Sequence, residues 1–161
     1  MIRLFHLGIA LLLFPKAEVS AQDLPAVYLP LQKLSITSSF GMRIHPVTGK
    51  TDFHRGIDLA ADCDPVLNIM DGKVKSIGFD PILGNYVRIQ HGEFLSIYGH
   101  LSHILVTNGE TVGAGYIIGV TGATGRVTGE HLHFSIRYRG RYLNPLLFLK
   151  SLLVPTPGLH Y

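Results

Sequence analysis

The sequence is short of the features that staple, charge or anchor a protein. It carries one cysteine, Cys63, in 161 residues, so no disulfide can close within the chain. Cys63 reads instead as a small, half-buried apolar residue. Tryptophan is absent, charged residues make up only 16%, and the formal net charge is +3. Lys and Arg alternate with acids rather than cluster, which excludes a nucleic-acid footprint. No apolar run reaches the roughly 20 residues that a helix needs to cross a bilayer. No long stretch repeats apolar residues with a helical period. Two hydrolytic signatures are also missing: a Gly-x-Ser-x-Gly elbow and a His-Glu-x-x-His zinc helix. The glycines around Gly113 and Gly115 do not open a helix, which excludes a nucleotide-binding loop.

What is present points to a packed β domain. Hydrophobic residues reach 47%, with 18 glycines and nine prolines and no collagen-like period. That composition suits many short strands joined by tight turns. The first residues read as a signal peptide over 1–21. Arg3 is its positive end, Leu4 to Pro15 carries no Lys, Arg, Asp or Glu, and Val19-Ser20-Ala21 supplies small residues at the cleavage point. Export to the periplasm or the exterior is expected, with no transmembrane segment after cleavage. A lead-in at 22–33, one domain over 34–150 and a tail at 151–161 are expected to follow. β-Branched and aromatic runs predict strands at Leu34–Phe40, Val66–Met70, Lys73–Phe79, Tyr86–Gln90, Phe94–Tyr98, Tyr116–Val120 and Leu132–Tyr138. A short helix is expected between Asn144 and Val154, with Leu146, Leu149 and Leu153 on one side. The predicted fold is therefore all-β and mainly antiparallel, with a short C-terminal helix.

Three elements carry chemistry. In His131-Leu132-His133-Phe134-Ser135-Ile136-Arg137-Tyr138, apolar and polar residues alternate, so a strand places both histidines on its polar face, about 7 Å apart. One suits a metal ligand and the other an acid/base beside it, and spacing does not choose between them. His54 and Asp58 stand four apart and project to one side. With one histidine of the His-x-His pair they make a His2Asp set, the three-ligand pattern of a catalytic zinc with one position open. His100, in Tyr98-Gly99-His100-Leu101, ends a strand beside glycine and can face a groove. Taken singly, each element also fits ordinary surface histidines.

Their order, His54/Asp58, then His100, then His131/His133, resembles the lysostaphin-like (LytM-type) zinc metalloendopeptidases of bacterial cell-wall turnover. The likeness runs from about Ser35 to Phe148. It includes Ser39-Phe40-Gly41-Met42-Arg43-Ile44-His45-Pro46, Thr121-Gly122-Ala123-Thr124-Gly125 and Gly129-Glu130-His131-Leu132-His133-Phe134. The resemblance implies an open groove between antiparallel sheets, with one Zn2+ per chain held by His54, Asp58 and His133. It makes His100 and His131 the catalytic pair, one assisting deprotonation of water and the other stabilising the oxyanion. Arg43 and His45 fall on a segment that approaches the site in relatives, and His45 is a candidate groove residue. The implied substrate is a peptide cross-link of peptidoglycan; Gly-Gly and D-Ala–diaminopimelate bridges are both cut within the family. Two other functions fit the same fold: a non-catalytic regulator of wall hydrolases, or a protease or toxin with another peptide target. Glu130 stands where relatives often have Pro, and Ser135 where many have Glu.

Overall fold

The structure, a computed structural model, describes residues 26–44 and 49–153. The expected signal peptide and His45 lie outside these residues. Among the described residues there are thirteen strands and one helix. The largest sheet runs in the order β1 (Ile36–Ser38), β4 (Ile57–Ala60), β12 (His131–Tyr138), β8 (Phe94–Leu101), β7 (Gly84–His91), β6 (Gly72–Asp80) and β10 (Thr111–Val112). A second sheet pairs β5 (Pro65–Leu67), β11 (Ile117–Val120) and β9 (His103–Ile104). β2 (Gly41–Ile44) and β3 (Thr51–His54) form a separate hairpin. Every strand pair is antiparallel.

β12 is the organising strand because both its edges are used. Along one edge it pairs with β8 from His133 to Tyr138. Along the other its first half pairs with β4 and its second half with β13 (Arg141–Leu143). Its alternation separates two faces as expected. Leu132, Phe134 and Ile136 are fully buried and share one core with Ile57, Leu59, Tyr98, Val66 and Ile118. Tyr98, buried with them, keeps its hydroxyl satisfied by accepting from the Ile69 N–H at 3.2 Å.

The all-β, antiparallel fold with one short helix is as the sequence predicts, and each predicted run overlaps a strand. Several boundaries move for local reasons. The run Val66–Met70 stops at Leu67, because Asn68 turns out of the strand to donate its Nδ2 to Met70 O at 2.6 Å and Gly113 O at 3.0 Å. The run Leu34–Phe40 shortens to β1, and a new strand, β2, starts just after it at Gly41 with a different partner. The helix α1 (Pro145–Leu153) starts with proline at its first position, and Asn144 Oδ1 caps it by accepting the Leu146 N–H at 3.0 Å. Leu149 enters the core, but Leu153 is exposed; Phe148 packs on Phe94 instead, with ring centroids 5.2 Å apart. Leu31, in the expected lead-in, is buried in the core.

Cys63 is a correction: it is exposed rather than half-buried. It sits in a bend with φ 52° and donates its backbone N–H to Glu130 Oε1 at 2.6 Å, so its side chain has no core to enter. No helix among the described residues is long and apolar enough to cross a membrane.

His91 gives the fold a pH-dependent stability. It is buried, with Nδ1 3.0 Å from Asp71 O and Nε2 2.7 Å from Ser96 Oγ. Burial holds its pKa below the ordinary 6.5, against the opposing backbone hydrogen bonds. Below about pH 6.5 the unfolded chain therefore binds more protons than the native one, and stability falls as pH falls. The contribution is complete above that pH and is lost as pH drops through the folded value. Urea midpoints measured from pH 7 to pH 5 should decline less in His91→Gln than in the parent protein.

Candidate active site

The face of the large sheet opposite the core carries the chemistry. Strand register puts Asp58 of β4, His133 of β12 and Gly99 of β8 in one row across three strands. His54 ends β3, and the chain turns through Arg55 and Gly56 into β4. Gly56 makes that turn possible. A Cβ there would lie 2.6 Å from both Phe134 O and His133 Cε1, so the backbone crosses directly against the imidazole.

His100 reaches the same place through a β-bulge. Asn85 pairs with Leu101 and Val87 with Tyr98, so β8 carries one extra residue opposite β7. His100 takes up that residue with φ 65°, a left-handed conformation that a side chain other than Gly seldom adopts. Its N–H donates to Leu83 O at 2.7 Å. The strain aims its ring toward His131, with ring centroids 4.6 Å apart.

Backbone carbonyls fix how these rings present their lone pairs. A carbonyl only accepts, so His54 Nδ1–H donates to Ser39 O at 2.9 Å and leaves Nε2 bare. In the same way His100 Nδ1–H donates to Thr124 O at 2.9 Å, and His131 Nδ1–H to Gly129 O at 2.9 Å. For His133 the role falls to Ser135, whose Oγ lies 2.9 Å from Nε2. When Oγ accepts the Nε2–H, His133 Nδ1 is bare as well.

Three electron-rich atoms then converge. His133 Nδ1 is 2.9 Å from Asp58 Oδ1 and 3.1 Å from His54 Nε2, and Asp58 Oδ1 is 3.2 Å from His54 Nε2. Two donors each 2.0–2.1 Å from one tetrahedral ion stand about 3.3 Å apart. The observed triangle is close to that size, and all three residues are buried. The donor set therefore fits a metal ion. Arg43 Nη1 sits 3.5 Å from the other Asp58 oxygen, Oδ2, while donating to Ser38 Oγ at 2.6 Å, so the two carboxylate oxygens face different partners.

Electrostatics agree with this arrangement. Burial alone pushes the Asp58 carboxyl up. Without a metal, the His133 and His54 rings donate to it whenever they carry a proton on the facing nitrogen, and this outweighs burial and holds the group well below the usual carboxylate range. Burial drives His133 down against the pull of the Asp58 carboxylate on its protonated form, and drives His100 down to about 4 against the Thr124 carbonyl. Both rings are neutral at neutral pH, the state that binds metal or accepts a proton.

The five histidine and aspartate positions singled out in the sequence all come together. His54, Asp58 and His133 form the triangle; His100 and His131 stand beside it, His131 Nε2 lying 3.7 Å from Asp58 Oδ1. They line a groove of about 650 Å³. His131 and His133 share a face as expected, but that face is not solvated at His133, which is buried. Ser135 touches His133, so one departure from the family pattern reaches the triangle. The other, Glu130, bonds Thr121 Oγ1 at 2.8 Å and the Cys63 N–H, away from it. The carbonyls of Ser39, Thr124 and Gly129 were not legible as functional groups, since any residue supplies one.

The fold and site define a class: an antiparallel β protein with a histidine–aspartate triangle of a size that could hold a metal ion, at the floor of an open groove. The chain belongs to peptidase family M23, whose pattern matches residues 52–145. It is 45% identical over 117 residues to the peptidoglycan DD-endopeptidase ShyA of Vibrio cholerae, covering 71% of this chain and 27% of that protein. It thus spans about a quarter of that relative's length. A zinc-containing peptidase from Vibrio cholerae superposes with a TM-score of 0.68 at 39% identity, covering 80% of this chain and 39% of that one. The catalytic domain of the antimicrobial peptidase lysostaphin from Staphylococcus simulans gives 0.68 at 30% identity, covering 83% of this chain and 100% of that one. The resemblance read from the sequence is borne out.

Gly56→Ala tests how the site is held. The added methyl would meet Phe134 O and the His133 ring, at an expected cost of about 1–3 kcal/mol. Urea unfolding should show that loss, and the His133 imidazole resonances should shift. An unchanged spectrum with unchanged stability would contradict the close packing.

Proposed function

We propose that this protein is an exported zinc endopeptidase that hydrolyses a DD peptide bond in the cross-links of peptidoglycan. The observation that carries the reading is the convergence of His54 Nε2, Asp58 Oδ1 and His133 Nδ1 within 3.2 Å of one another. The name of the ShyA relative supports the DD bond. The signal-like sequence over 1–21 supports export to where peptidoglycan lies.

In this reading His54, Asp58 and His133 hold the ion. A bound zinc supplies Lewis-acid polarisation of the scissile carbonyl and lowers the pKa of water. The remaining work belongs to the chain. His100 and His131 both spend their Nδ1–H on carbonyls, so each presents a bare Nε2 to the groove. Both therefore start as proton acceptors, and neither has an Nε2–H to offer an oxyanion at the outset. The ring that takes the proton of the attacking water becomes the donor that later serves the oxyanion or the leaving amine. A charge arriving on His131 lies 3.7 Å from Asp58 Oδ1, which favours His131 as that first acceptor. His100, held neutral by burial, completes the pair. A non-catalytic regulator would be expected to lack one of these groups, and none of the five is missing.

Metal analysis and digestion separate the roles. Asp58→Ala and His133→Ala should fail to retain one zinc per chain. His100→Ala should keep zinc yet release monomers from cross-linked muropeptide dimers about 10²–10⁴-fold more slowly. A His100→Ala protein with wild-type turnover would refute its catalytic role. Ser135→Ala should weaken zinc binding about 10–100-fold in a chelator competition, because His133 loses the group that orients it. Unaltered affinity would show that Ser135 does not set the tautomer.

A further inference from the structure

The groove floor continues beyond the reactive residues. On β12 the next side chain after Ser135 on the same face is Arg137, and on β8 the one before Ile97 is Leu95. Register aligns Arg137 with Leu95 and Leu95 with Gln90, a row across β12, β8 and β7. This row floors a second cavity of about 280 Å³, whose lining includes Lys75, Arg137 and Arg139 against one acid, Glu93. Tyr142 joins the two cavities. It lines the first, and its ring centroid lies 5.0 Å from the Arg137 guanidinium carbon.

Arg137 is preorganised. Its Nε and Nη2 both donate to Gly140 O, at 3.1 and 2.8 Å, and the Tyr142 ring backs the guanidinium. These contacts fix the plane and leave Nη1 without a hydrogen-bond partner, while Lys75, lining the same cavity from β6, makes one long contact of 3.4 Å from its Nζ to Gln90 Oε1. The Arg139–Glu93 pair is exposed at the rim, and opening such a pair costs little. A fixed guanidinium with a second cation lining the same cavity matches a carboxylate.

We propose that this cavity is a substrate subsite that binds a free carboxylate of the peptidoglycan peptide, with Arg137 as its principal contact and Lys75 as its second. The assignment rests on the peptidase reading. Arg137 lies four residues along β12 from His133, about 13 Å. An extended peptide covers that distance in roughly four residues. The carboxylate recognised is therefore remote from the scissile bond, where it adds binding and orientation rather than chemistry.

Equilibrium binding in a zinc-loaded His100→Ala background tests this without turnover. The probes are a cross-linked muropeptide dimer with free carboxylates and the same dimer with its carboxylates amidated. Adding Arg137→Gln should raise the Kd of the free-carboxylate dimer about tenfold and that of the amidated dimer less than twofold. Lys75→Gln, a substitution at an exposed side chain, should act in the same direction on the free-carboxylate dimer. Equal effects on both dimers, or none, would overturn the subsite. So would Arg137-dependent binding of a phosphate-bearing wall polymer without selectivity between the dimers. If the wild-type protein cleaves neither dimer while the selectivity persists, the peptidase reading fails and the carboxylate subsite stands.

Discussion

Two ring nitrogens and a carboxylate oxygen, brought within 3.2 Å of each other in a buried position, repel unless positive charge sits among them. Folding nevertheless forces the approach. The antiparallel register of β4 on β12 sets Asp58 opposite His133, and Gly56 lets His54 swing in over the same ring. The core beneath supplies the rigidity: Ile57 and Leu59 flank Asp58, and Leu132 and Phe134 flank His133, all buried on the opposite face. Each donor thus sits between two anchors that hold the strand down. The repulsion is built in by packing, and a cation held among the three donors would relieve it.

The same logic explains why so many carbonyls point at the site. A histidine free to change tautomer could present either N–H or a lone pair to the groove. Ser39, Gly129 and Thr124 remove that freedom for His54, His131 and His100. The left-handed backbone at His100 belongs to this set of constraints, since the bulge both turns the ring and positions its Nδ1–H for Thr124 O. Local strain is spent on orientation at this bulge.

Much of this was legible in the sequence because period and chemistry coincide on one strand. Leu132, Phe134 and Ile136 announce a buried face, which leaves His131 and His133 together on the other. β3 and β4 were not legible as strands: Thr51–His54 and Ile57–Ala60 are four residues each and interrupt their apolar positions with Asp and His. Their acidic and imidazole groups were visible as chemistry before they were visible as structure. The bulge at His100 and the exposure of Cys63 depend on tertiary register, which no short motif encodes. The Arg137 cavity was hidden for the same reason, since its row is assembled from three strands.

A second group of possible donors, Asp62 and Cys63 in the bend before β5 with Glu130 just before β12, differs from the buried triangle in offering sulfur and no imidazole nitrogen. X-ray absorption at the zinc edge on the zinc-loaded protein therefore tests the central claim most directly. Two imidazole nitrogens and light oxygen donors at about 2.0–2.1 Å, with no sulfur, are expected. A zinc–sulfur distance of about 2.3 Å would move the metal to Cys63 and contradict the site.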